Sequence, residues 1–353
     1  MGELEQLLVA HITAGGPIGF DEYQANALYA PRLGFYQRGG GAGRRRDFLT
    51  SPEVGPLFGA IVARALDEWW QELGAPPRFT VVEAGAGPGT LARTVLAAAP
   101  ACSEALELVL VEVGEAQWAT HPAGVTSRAD LPVAGELGDG PVVVLANELL
   151  DNLPVALAER TQGAWAEVVV AVEGRGDEGL IFDHRPLPAA QQAWCERHAP
   201  HAPDGARIPV QAEAAAWLGD ARSLAQGGRV VVIDYARTTA ELAALPMGAW
   251  LRTYADHGRG GDPLEEPGAC DITCDVATDQ LLAVAEPTSV WTQADFLHAH
   301  GLGDLVEEGR AIWADQGLAG GLDAIAAQSR VREAEALTDP AGLGAFTVLE
   351  WAP

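Results

Sequence analysis

An acid and three glycines stand within eight residues, in the sequence Glu83-Ala84-Gly85-Ala86-Gly87-Pro88-Gly89-Thr90. The preceding segment FTVVEA (79–84) has the length and composition of a buried strand, and a helix is predicted from about Thr90. Glycine lets the backbone turn tightly and approach a ligand closely. Open α/β sheets bind ligands at such turns, at the carboxyl ends of their parallel strands. The loop therefore predicts a site for a nucleoside cofactor.

The acid in this loop distinguishes between nucleoside cofactors. A dinucleotide site has the pattern GxGxxG, but Thr90 holds the third glycine position here, and Gly89 comes one residue early. Glu83 would repel a pyrophosphate, whereas it would attract the ammonium and sulfonium groups of S-adenosyl-L-methionine. The spacing acid-x-Gly-x-Gly-x-Gly is that of class I methyltransferases. We therefore predict S-adenosyl-L-methionine as the cofactor, and an NAD-dependent oxidoreductase is disfavoured.

A second acid, Glu112, ends the next apolar run, ELVLVE (107–112). In Rossmann folds, a carboxylate at this position accepts hydrogen bonds from both ribose hydroxyls. The competing interpretation is a cap for a helix that follows Gly114. Because the glycine loop precedes it, we favour ribose binding. The predicted cofactor residues in this part of the chain are Glu83, Gly85, Gly87, Gly89, Thr90 and Glu112.

Three polar residues follow another strand-like run, PVVVLAN (141–147). They are Asn147, Glu148 and Asp151. If this run is a neighbouring parallel strand, they lie beside the glycine loop at the same sheet edge. On a helical turn, the spacing of three would also put the two acids on one face. Acids also favour helix N-termini without any other role. We predict that these three residues form the catalytic acceptor site.

A further candidate segment is Thr50, Ser51, Pro52 and Glu53. We expect these residues, together with Asp47, to form part of a clamp over the cofactor. The same string predicts a helix start, with proline in the first turn and an acid beside it. Capping alone is therefore the competing interpretation.

Other polar or aromatic residues are ambiguous. Tyr29 and Tyr36 could line a substrate channel, although buried tyrosines are common. His257 is more typical of a structural histidine than of a base. The basic run Arg44–Arg46 favours a solvated loop, with altered substrate choice as the alternative.

Elements that would position these residues alternate along the chain from residue 79. Strand-like runs at 79–84, 107–112, 141–147 and 229–236, a weaker one near Val125 and a last one at 344–351 are separated by helical segments. This predicts an α/β fold with a parallel, Rossmann-like class I methyltransferase sheet covered on both faces. Residues 164–174 and 179–184 predict a hairpin-like addition.

The remaining segments predict how the chain is divided. Residues 1–75 are predicted to form a helical cap region. One helix is predicted from the helical spacing of Leu4, Leu7, Leu8 and Ile12, and a second one at 58–70. Residues 76–353 form the methyltransferase domain. Segment 186–209 is expected to be a surface connection or the start of an insertion. The Gly-, Pro- and Asp-rich segment 237–292 is expected to leave the sheet and to serve as a lid.

Composition limits the classes of partner. The chain has 353 residues, 48% of them hydrophobic, and a formal net charge of −27. This charge would repel nucleic acid and attract a cationic partner, although acidity also aids solubility alone. No apolar run reaches the ~18 residues of a membrane span, and the N-terminus lacks a signal peptide's pattern. Four cysteines, Cys270 and Cys274 among them, favour ordinary thiols of a cytoplasmic protein over a disulfide framework or a metal site.

Several rare strings occur in one order along nearly the whole chain. The strings are Ala27-Leu28-Tyr29, Gly34-Phe35-Tyr36, Asp47–Val54, Asn147–Pro154, Ile233-Asp234-Tyr235, Arg252-x-Tyr254, Asp262-Pro263-Leu264, Pro267-Gly268 and Asp271-Ile272-Thr273. Through them the sequence resembles the methyltransferases related to the mitochondrial complex I assembly factor that methylates an arginine, and their bacterial relatives. Two departures are Arg46 and Ala236, where the family usually has glycine.

The resemblance implies a particular acceptor. It implies methyl transfer to an arginine guanidinium of a protein, such as a respiratory complex subunit. A guanidinium arrives protonated, and its planar fork favours carboxylate partners that can also take a proton. Two alternatives stay open, since acceptors diverge while folds persist. One is a methyltransferase acting on a small molecule, and the other is an S-adenosyl-L-methionine-binding assembly factor without catalytic activity.

Overall fold

The computed structural model describes residues 1–38, 50–138, 140–174, 179–255, 258–316 and 322–353. Asp47, His257 and the basic run Arg44–Arg46 lie outside these described residues. The helices are α1 (Glu3–Gly15), α2 (Phe20–Tyr29), α3 (Ser51–Val54), α4 (Pro56–Glu72), α5 (Thr90–Ala97), α6 (Ala189–His198), α7 (Ala212–Ala225), α8 (Thr239–Ala243), α9 (Thr278–Leu282), α10 (Gln293–Ala299), α11 (Leu302–Gln316) and α12 (Leu322–Leu337).

The strands belong to two larger and two smaller sheets. In chain order they are β1 (Ile18–Gly19), β2 (Phe79–Ala84), β3 (Leu106–Val111), β4 (Thr126–Arg128), β5 (Val142–Asn147), β6 (Ala156–Thr161), β7 (Ala164–Val172), β8 (Leu180–Pro186), β9 (Arg207–Val210), β10 (Arg229–Asp234), β11 (Ala236–Arg237), β12 (Leu251–Ala255), β13 (Gly258–Arg259), β14 (Asp271–Cys274), β15 (Val276–Ala277), β16 (Ser289–Thr292) and β17 (Thr347–Trp351).

The central sheet has seven strands in the order β16-β17-β10-β5-β2-β3-β4. The strands from β10 to β4 are parallel to their neighbours, and β17 pairs antiparallel to both β10 and β16. In the register, Ala84 lies opposite both Val111 and Ala146. The carboxyl ends of β2, β3 and β5 therefore meet at one edge, as predicted. The predicted parallel, Rossmann-like sheet is confirmed.

Helices cover both faces of this sheet, because its strands are apolar on each side. Helices α4 and α5 pack on one face through side chains such as Phe58 and Leu91, and α7 packs on the other through Leu218 and Leu224. The amphipathic helix predicted at 58–70 is thus confirmed as α4. The helix predicted from Leu4, Leu7, Leu8 and Ile12 is confirmed as α1, in which the Leu7 side chain is 56% exposed. It lies about 100° around α1 from the buried stripe of Leu4, Leu8 and Ile12.

A second, antiparallel sheet of five strands has the order β1-β7-β6-β9, with β8 paired to β7. The hairpin predicted at 164–184 is confirmed as β7 and β8. Helices α1 and α2 pack in the same core as this sheet, whereas α4 packs on the central one. The segment 186–209, expected as a surface connection or the start of an insertion, contains α6 and the start of β9, and Trp194 and Cys195 pack with Trp165 in a small separate core.

The segment 237–292 leaves the central sheet, as predicted, and returns only at β16. Its strands β12, β13 and β14 form a small antiparallel sheet. Strand β14 contacts the turn that follows β5, where Asn152 Nδ2 donates to Asp271 Oδ1 at 3.0 Å. Across the described ranges, no helix has the length and apolarity needed to cross a membrane.

Candidate active site

The glycine loop between β2 and α5 adopts a backbone that requires glycine. Gly85, Gly87 and Gly89 have φ values of 72°, 51° and 72°. A Cβ at Gly85 would meet Leu149 at 3.0 Å, and one at Gly89 would meet His121 at 3.0 Å. At Gly87 the nearest atom would be Gln117 Oε1, at 4.0 Å. The middle glycine therefore faces open space that a ligand can occupy.

That space is a cavity of about 320 Å³ at the carboxyl edge of the central sheet. Most of the predicted site residues line it, but Ser51, Gly89 and Asp151 do not. Residues from the N-terminal segment, the glycine loop and the ends of β3, β4 and β5 all contribute. The predicted residues that line it are Thr50, Pro52, Glu53, Glu83, Gly85, Gly87, Thr90, Glu112, Asn147 and Glu148.

The cavity lining is acidic. It contains five carboxylates, and its described residues include no lysine, arginine or histidine. A cationic ligand would therefore be attracted, and an anionic one repelled. The five are Glu53, Glu83, Glu112, Asp130 and Glu148.

Two of these acids lie at the glycine loop. Glu83 is 7% exposed, and burial raises its pKa to about 8. Glu112 accepts hydrogen bonds from the backbone N–H of Gly87 at 2.9 Å and of Gly114 at 2.7 Å. Burial raises the pKa of Glu112 too, while these two bonds lower it. Glu112 thus anchors the loop to β3, and a positive ligand would favour the ionised form of both acids.

Two buried acceptor atoms in the cavity lack a partner among the described residues. They are Gln117 Oε1 and Asn147 Oδ1. An unsatisfied buried acceptor costs free energy, so native sites usually give it a donor. S-adenosyl-L-methionine carries such donors on its ammonium, ribose and adenine groups. These atoms, the acids and the open space at Gly87 together fit that cofactor.

Among the described residues that line the cavity, Glu148 is the one non-glycine residue with a positive φ. Its φ is 52°, in the left-handed region, and its N–H donates to Ile233 O at 2.8 Å. Strained residues of this kind cluster at functional sites. Its Oε1 accepts from Asn147 Nδ2 and from Ser51 N, each at 3.1 Å. Burial, with a smaller contribution from Asp151, raises the pKa of Glu148 to about 8. Among the described residues Oε2 accepts nothing, so it can bind a ligand.

Asp151 occupies a different environment from the one its spacing suggested. It lies in the short 3-10 turn Leu150–Asn152, and because Glu148 is left-handed, the two acids do not share a helical face. Asp151 is 3% exposed, and its N–H donates to Asp234 Oδ2 at 3.2 Å. Burial and the neighbouring Asp234 raise its pKa well above the ordinary range. The structure thus brings Asn147 and Glu148 together at the cavity and places Asp151 outside its lining.

The N-terminal segment supplies another wall of the cavity. Tyr29 and Tyr36 are stacked with centroids 5.6 Å apart, and their hydroxyls donate to Asn152 O and Asp271 Oδ1, both at 3.0 Å. Both rings line the cavity. The predicted helix start at 50–53 is confirmed as α3, with proline in its first turn. This segment therefore both begins a helix and contributes Thr50, Pro52 and Glu53 to the lining.

The sequence interpretation did not find several lining residues. Ala129, Asp130 and Leu131 follow β4 directly, so the strand-end argument used for β2, β3 and β5 would have identified them. Gln117 lies in a 3-10 helix and Trp217 in α7, where no strand end precedes them. No local sequence pattern therefore indicates that these two residues line the cavity. Among the described residues, no group of three or more His, Cys, Asp or Glu side chains is placed to hold a metal ion.

Comparison with sequence families identifies one matching family model. It covers residues 61–296 and is described as "Putative S-adenosyl-L-methionine-dependent methyltransferase". The curated relatives include the mitochondrial protein arginine methyltransferase NDUFAF7 homolog of Drosophila melanogaster, which is 28% identical in an alignment of length 325 that covers 81% of this chain and 70% of the relative. The Homo sapiens protein arginine methyltransferase NDUFAF7 is 27% identical in an alignment of length 314 that covers 79% of this chain and 68% of that protein.

Comparison with solved structures finds the same architecture. A protein from Burkholderia thailandensis bound to S-adenosyl-homocysteine is 28% identical and superposes with a TM-score of 0.83, covering 99% of this chain and 92% of that one. A native crystal structure from the same organism gives a TM-score of 0.82 at 27% identity, over 99% of this chain and 91% of that one.

Proposed function

We propose, from the premise that this chain belongs to the S-adenosyl-L-methionine-dependent methyltransferase family, that its methyl acceptor is an arginine side chain of another protein. The observation that carries the proposal is the acidic cavity lining, above all Glu148 beside Asn147. The names of the curated relatives, which are protein arginine methyltransferases, favour the same acceptor.

The distribution of acids in the cavity supports a cationic acceptor. Glu83 and Glu112 lie at the glycine loop, where they suit the cofactor. Glu148 lies on the neighbouring strand end with Oε2 available, and Asn147 Oδ1 beside it lacks a donor. A guanidinium has several N–H donors in one plane, so it could bind both oxygens at once. A neutral acceptor would supply no positive charge to favour the ionised form of this buried group.

These residues can perform the acceptor half of the reaction. When bound, S-adenosyl-L-methionine would supply an electrophilic methyl group; the bond from that methyl to sulfur would break, with S-adenosyl-homocysteine as the leaving group. Glu148 and Asn147 bind and orient the guanidinium, so that one of its nitrogens remains accessible to that methyl group. The nitrogen loses one proton as it gains the methyl, and Glu148 accepts that proton. The raised pKa of Glu148 makes it a stronger base than an exposed carboxylate. The acidic chain, with net charge −27, also attracts a cationic partner.

The assignment of Glu83 to the cofactor gives a testable prediction. We expect Glu83→Gln to weaken binding of S-adenosyl-homocysteine by roughly tenfold or more, because a buried charge near the cofactor's ammonium is lost. Isothermal calorimetry measures this directly. The maximal rate at saturating cofactor should change less than the affinity. Unchanged affinity together with a lower maximal rate would contradict the assignment.

The ionisation of Glu148 predicts a pH dependence. Only the ionised carboxylate can bind the guanidinium and take its proton, and the pKa of this group is raised to about 8. We therefore expect methyl transfer to decrease as the pH falls below about 8. At saturating acceptor the decrease should occur at lower pH, because bound cations favour the ionised form. A rate that stays constant from pH 9 to pH 6, or that rises on acidification, would contradict this role.

A labelling experiment tests the acceptor class. The protein is incubated with tritiated S-adenosyl-L-methionine and the proteins of a cell lysate, and the labelled proteins are hydrolysed in acid. We expect the label in methylarginines after chromatography. Label in other amino acids, or only in small molecules, would overturn the arginine proposal and leave the methyltransferase family in place.

A further inference from the structure

One buried hydrogen-bond chain connects the proposed acceptor carboxylate to the C-terminal part of the protein. Ser51 N donates to Glu148 Oε1 at 3.1 Å, and Ser51 Oγ donates to Gln293 Oε1 at 2.9 Å. Gln293 Nε2 then donates to Leu337 O at 3.1 Å. Ser51 and Gln293 are both 0% exposed, and neither lines the cavity.

We propose that Gln293 is a positioning residue for methyl transfer, which holds Glu148 in place through Ser51. The inference rests on the proposed role of Glu148 as the acceptor carboxylate. Gln293 does not touch the cavity, so it is not a catalytic residue itself.

The orientation of the Gln293 amide follows from its surroundings. Leu337 O is a backbone carbonyl and can only accept, so the NH₂ group must face it. Oε1 is then left for the Ser51 hydroxyl, which must donate. The backbone N–H of Gln293 also donates to Phe346 O at 2.8 Å. With its backbone and its amide both held, Gln293 offers Ser51 an acceptor at one fixed position.

Helix α3 depends on such external contacts. It has four residues, too few to be stable by itself. Just beyond its other end, the N–H of Leu57 in the first turn of α4 donates to Glu333 Oε2 at 2.9 Å, and a Cβ at Gly55 would clash with the same carboxylate. Gln293 and Glu333 thus hold the two sides of the segment that carries Thr50, Pro52 and Glu53 into the cavity. Loss of the Gln293 contact frees the end that also binds Glu148.

The groups around Glu148 determine what this loss should do to its titration. Asp151 lies on the following turn, and Asp234 and Tyr235 lie at the end of β10; all three are close enough to interact electrostatically with Glu148. The N–H of Ser51 and the amide of Asn147 oppose them by favouring the ionised form. If the Ser51 bond lengthens, the acids dominate and Glu148 becomes harder to ionise.

The test compares two buried glutamines. Gln293→Met removes the hydrogen bonds of the Gln293 amide to Ser51 Oγ and Leu337 O, and Gln280→Met is the matched control. Gln280 is 6% exposed and donates from Nε2 to Pro209 O at 2.8 Å and to Thr239 Oγ1 at 3.0 Å, but it does not line the cavity. We measure the melting temperature, S-adenosyl-homocysteine affinity by calorimetry, and the rate of tritium transfer to lysate proteins from pH 6 to pH 9.

We expect both variants to lose similar thermal stability. Gln293→Met should reduce the rate at saturating cofactor on the order of 10- to 100-fold, since small misplacements of reacting groups have such effects. It should move the acid limb of the pH profile to higher pH, with affinity for S-adenosyl-homocysteine changed less than about twofold. Gln280→Met should leave the rate and the pH limb unchanged.

Equal rates and equal pH limbs in the two variants would overturn the proposal. If Gln293→Met does not fold, Ser51→Ala removes the same hydroxyl contact, and a full rate with an unmoved limb in Ser51→Ala would overturn it as well. Glu148→Gln distinguishes a failure of the catalytic role of Glu148 from a failure of the positioning role of Gln293. If Glu148→Gln is fully active, the proposed function of Glu148 fails. If Glu148→Gln is inactive while Gln293→Met and Gln280→Met have the same rate and the same pH profile, only the positioning role of Gln293 fails.

Discussion

Replacing Glu148 with glutamine should reduce methyl transfer by a factor of about 10²–10⁴, the range for a lost general base. The substitution keeps the size of the side chain, and the amide oxygen can still accept from Ser51 N and Asn147 Nδ2. What disappears is the negative charge that binds the guanidinium and the base that takes its proton. The rate of tritium transfer at saturating cofactor measures this effect.

Binding of S-adenosyl-homocysteine should change little in Glu148→Gln. The matched control is Glu115→Gln, because Glu115 is an exposed acid close to the cavity that does not line it. Glu115→Gln should keep full activity. Full activity in Glu148→Gln would remove its proposed catalytic role, and an equal loss in both variants would indicate a general electrostatic effect instead.

Gly87→Val should abolish cofactor binding, which is the second large effect. The φ of Gly87 is 51°, where a β-branched side chain is strained, and its Cβ would point into the open space of the cavity. The two methyl groups of valine would then occupy the volume that the ligand needs. Calorimetry with S-adenosyl-homocysteine should detect no binding.

Gly124→Val separates backbone strain from loss of space. Gly124 has a φ of 88° with nothing within 4 Å of its Cβ position, and it does not line the cavity. We expect Gly124→Val to bind S-adenosyl-homocysteine normally, with whatever loss of stability the strained backbone causes. Normal binding by Gly87→Val would contradict the assignment of this loop to the cofactor.

The strand-end argument explains why much of the cavity could be predicted from sequence. Glu83, Glu112 and Asn147 each end an apolar run, and parallel strands bring their carboxyl ends to one edge. The glycines between β2 and α5 mark that edge in the sequence. Parallel strands pair over long distances in the chain, but the residues that end each strand can be recognised from the local sequence. The residues at this edge could therefore be predicted from one sequence.

Asp151 shows where periodicity alone was insufficient. The spacing from Glu148 to Asp151 suggested a shared helical face, but the left-handed conformation of Glu148 breaks the helix before it starts. That conformation depends on the bond from its N–H to Ile233 O on a neighbouring strand. The spacing of residues along the chain does not encode such a contact.

The relay from Glu148 through Ser51 to Gln293 was beyond sequence reasoning for a similar reason. Ser51 and Gln293 are 242 residues apart in the chain, and a buried glutamine has no characteristic local pattern. Gln117 and Trp217 reach the cavity from a 3-10 helix and from α7, again without a strand end as a marker. Tertiary packing decides these positions.

The most direct test of the arginine acceptor uses an isotope-labelled methyl group. Wild-type protein and Glu148→Gln are each incubated with methyl-labelled S-adenosyl-L-methionine and lysate proteins, and mass spectrometry locates the label in digested peptides. We expect the label on an arginine side-chain nitrogen with the wild-type protein, and no labelled arginine with Glu148→Gln. Label on a different kind of side chain, or on arginine to the same extent with both proteins, would contradict it.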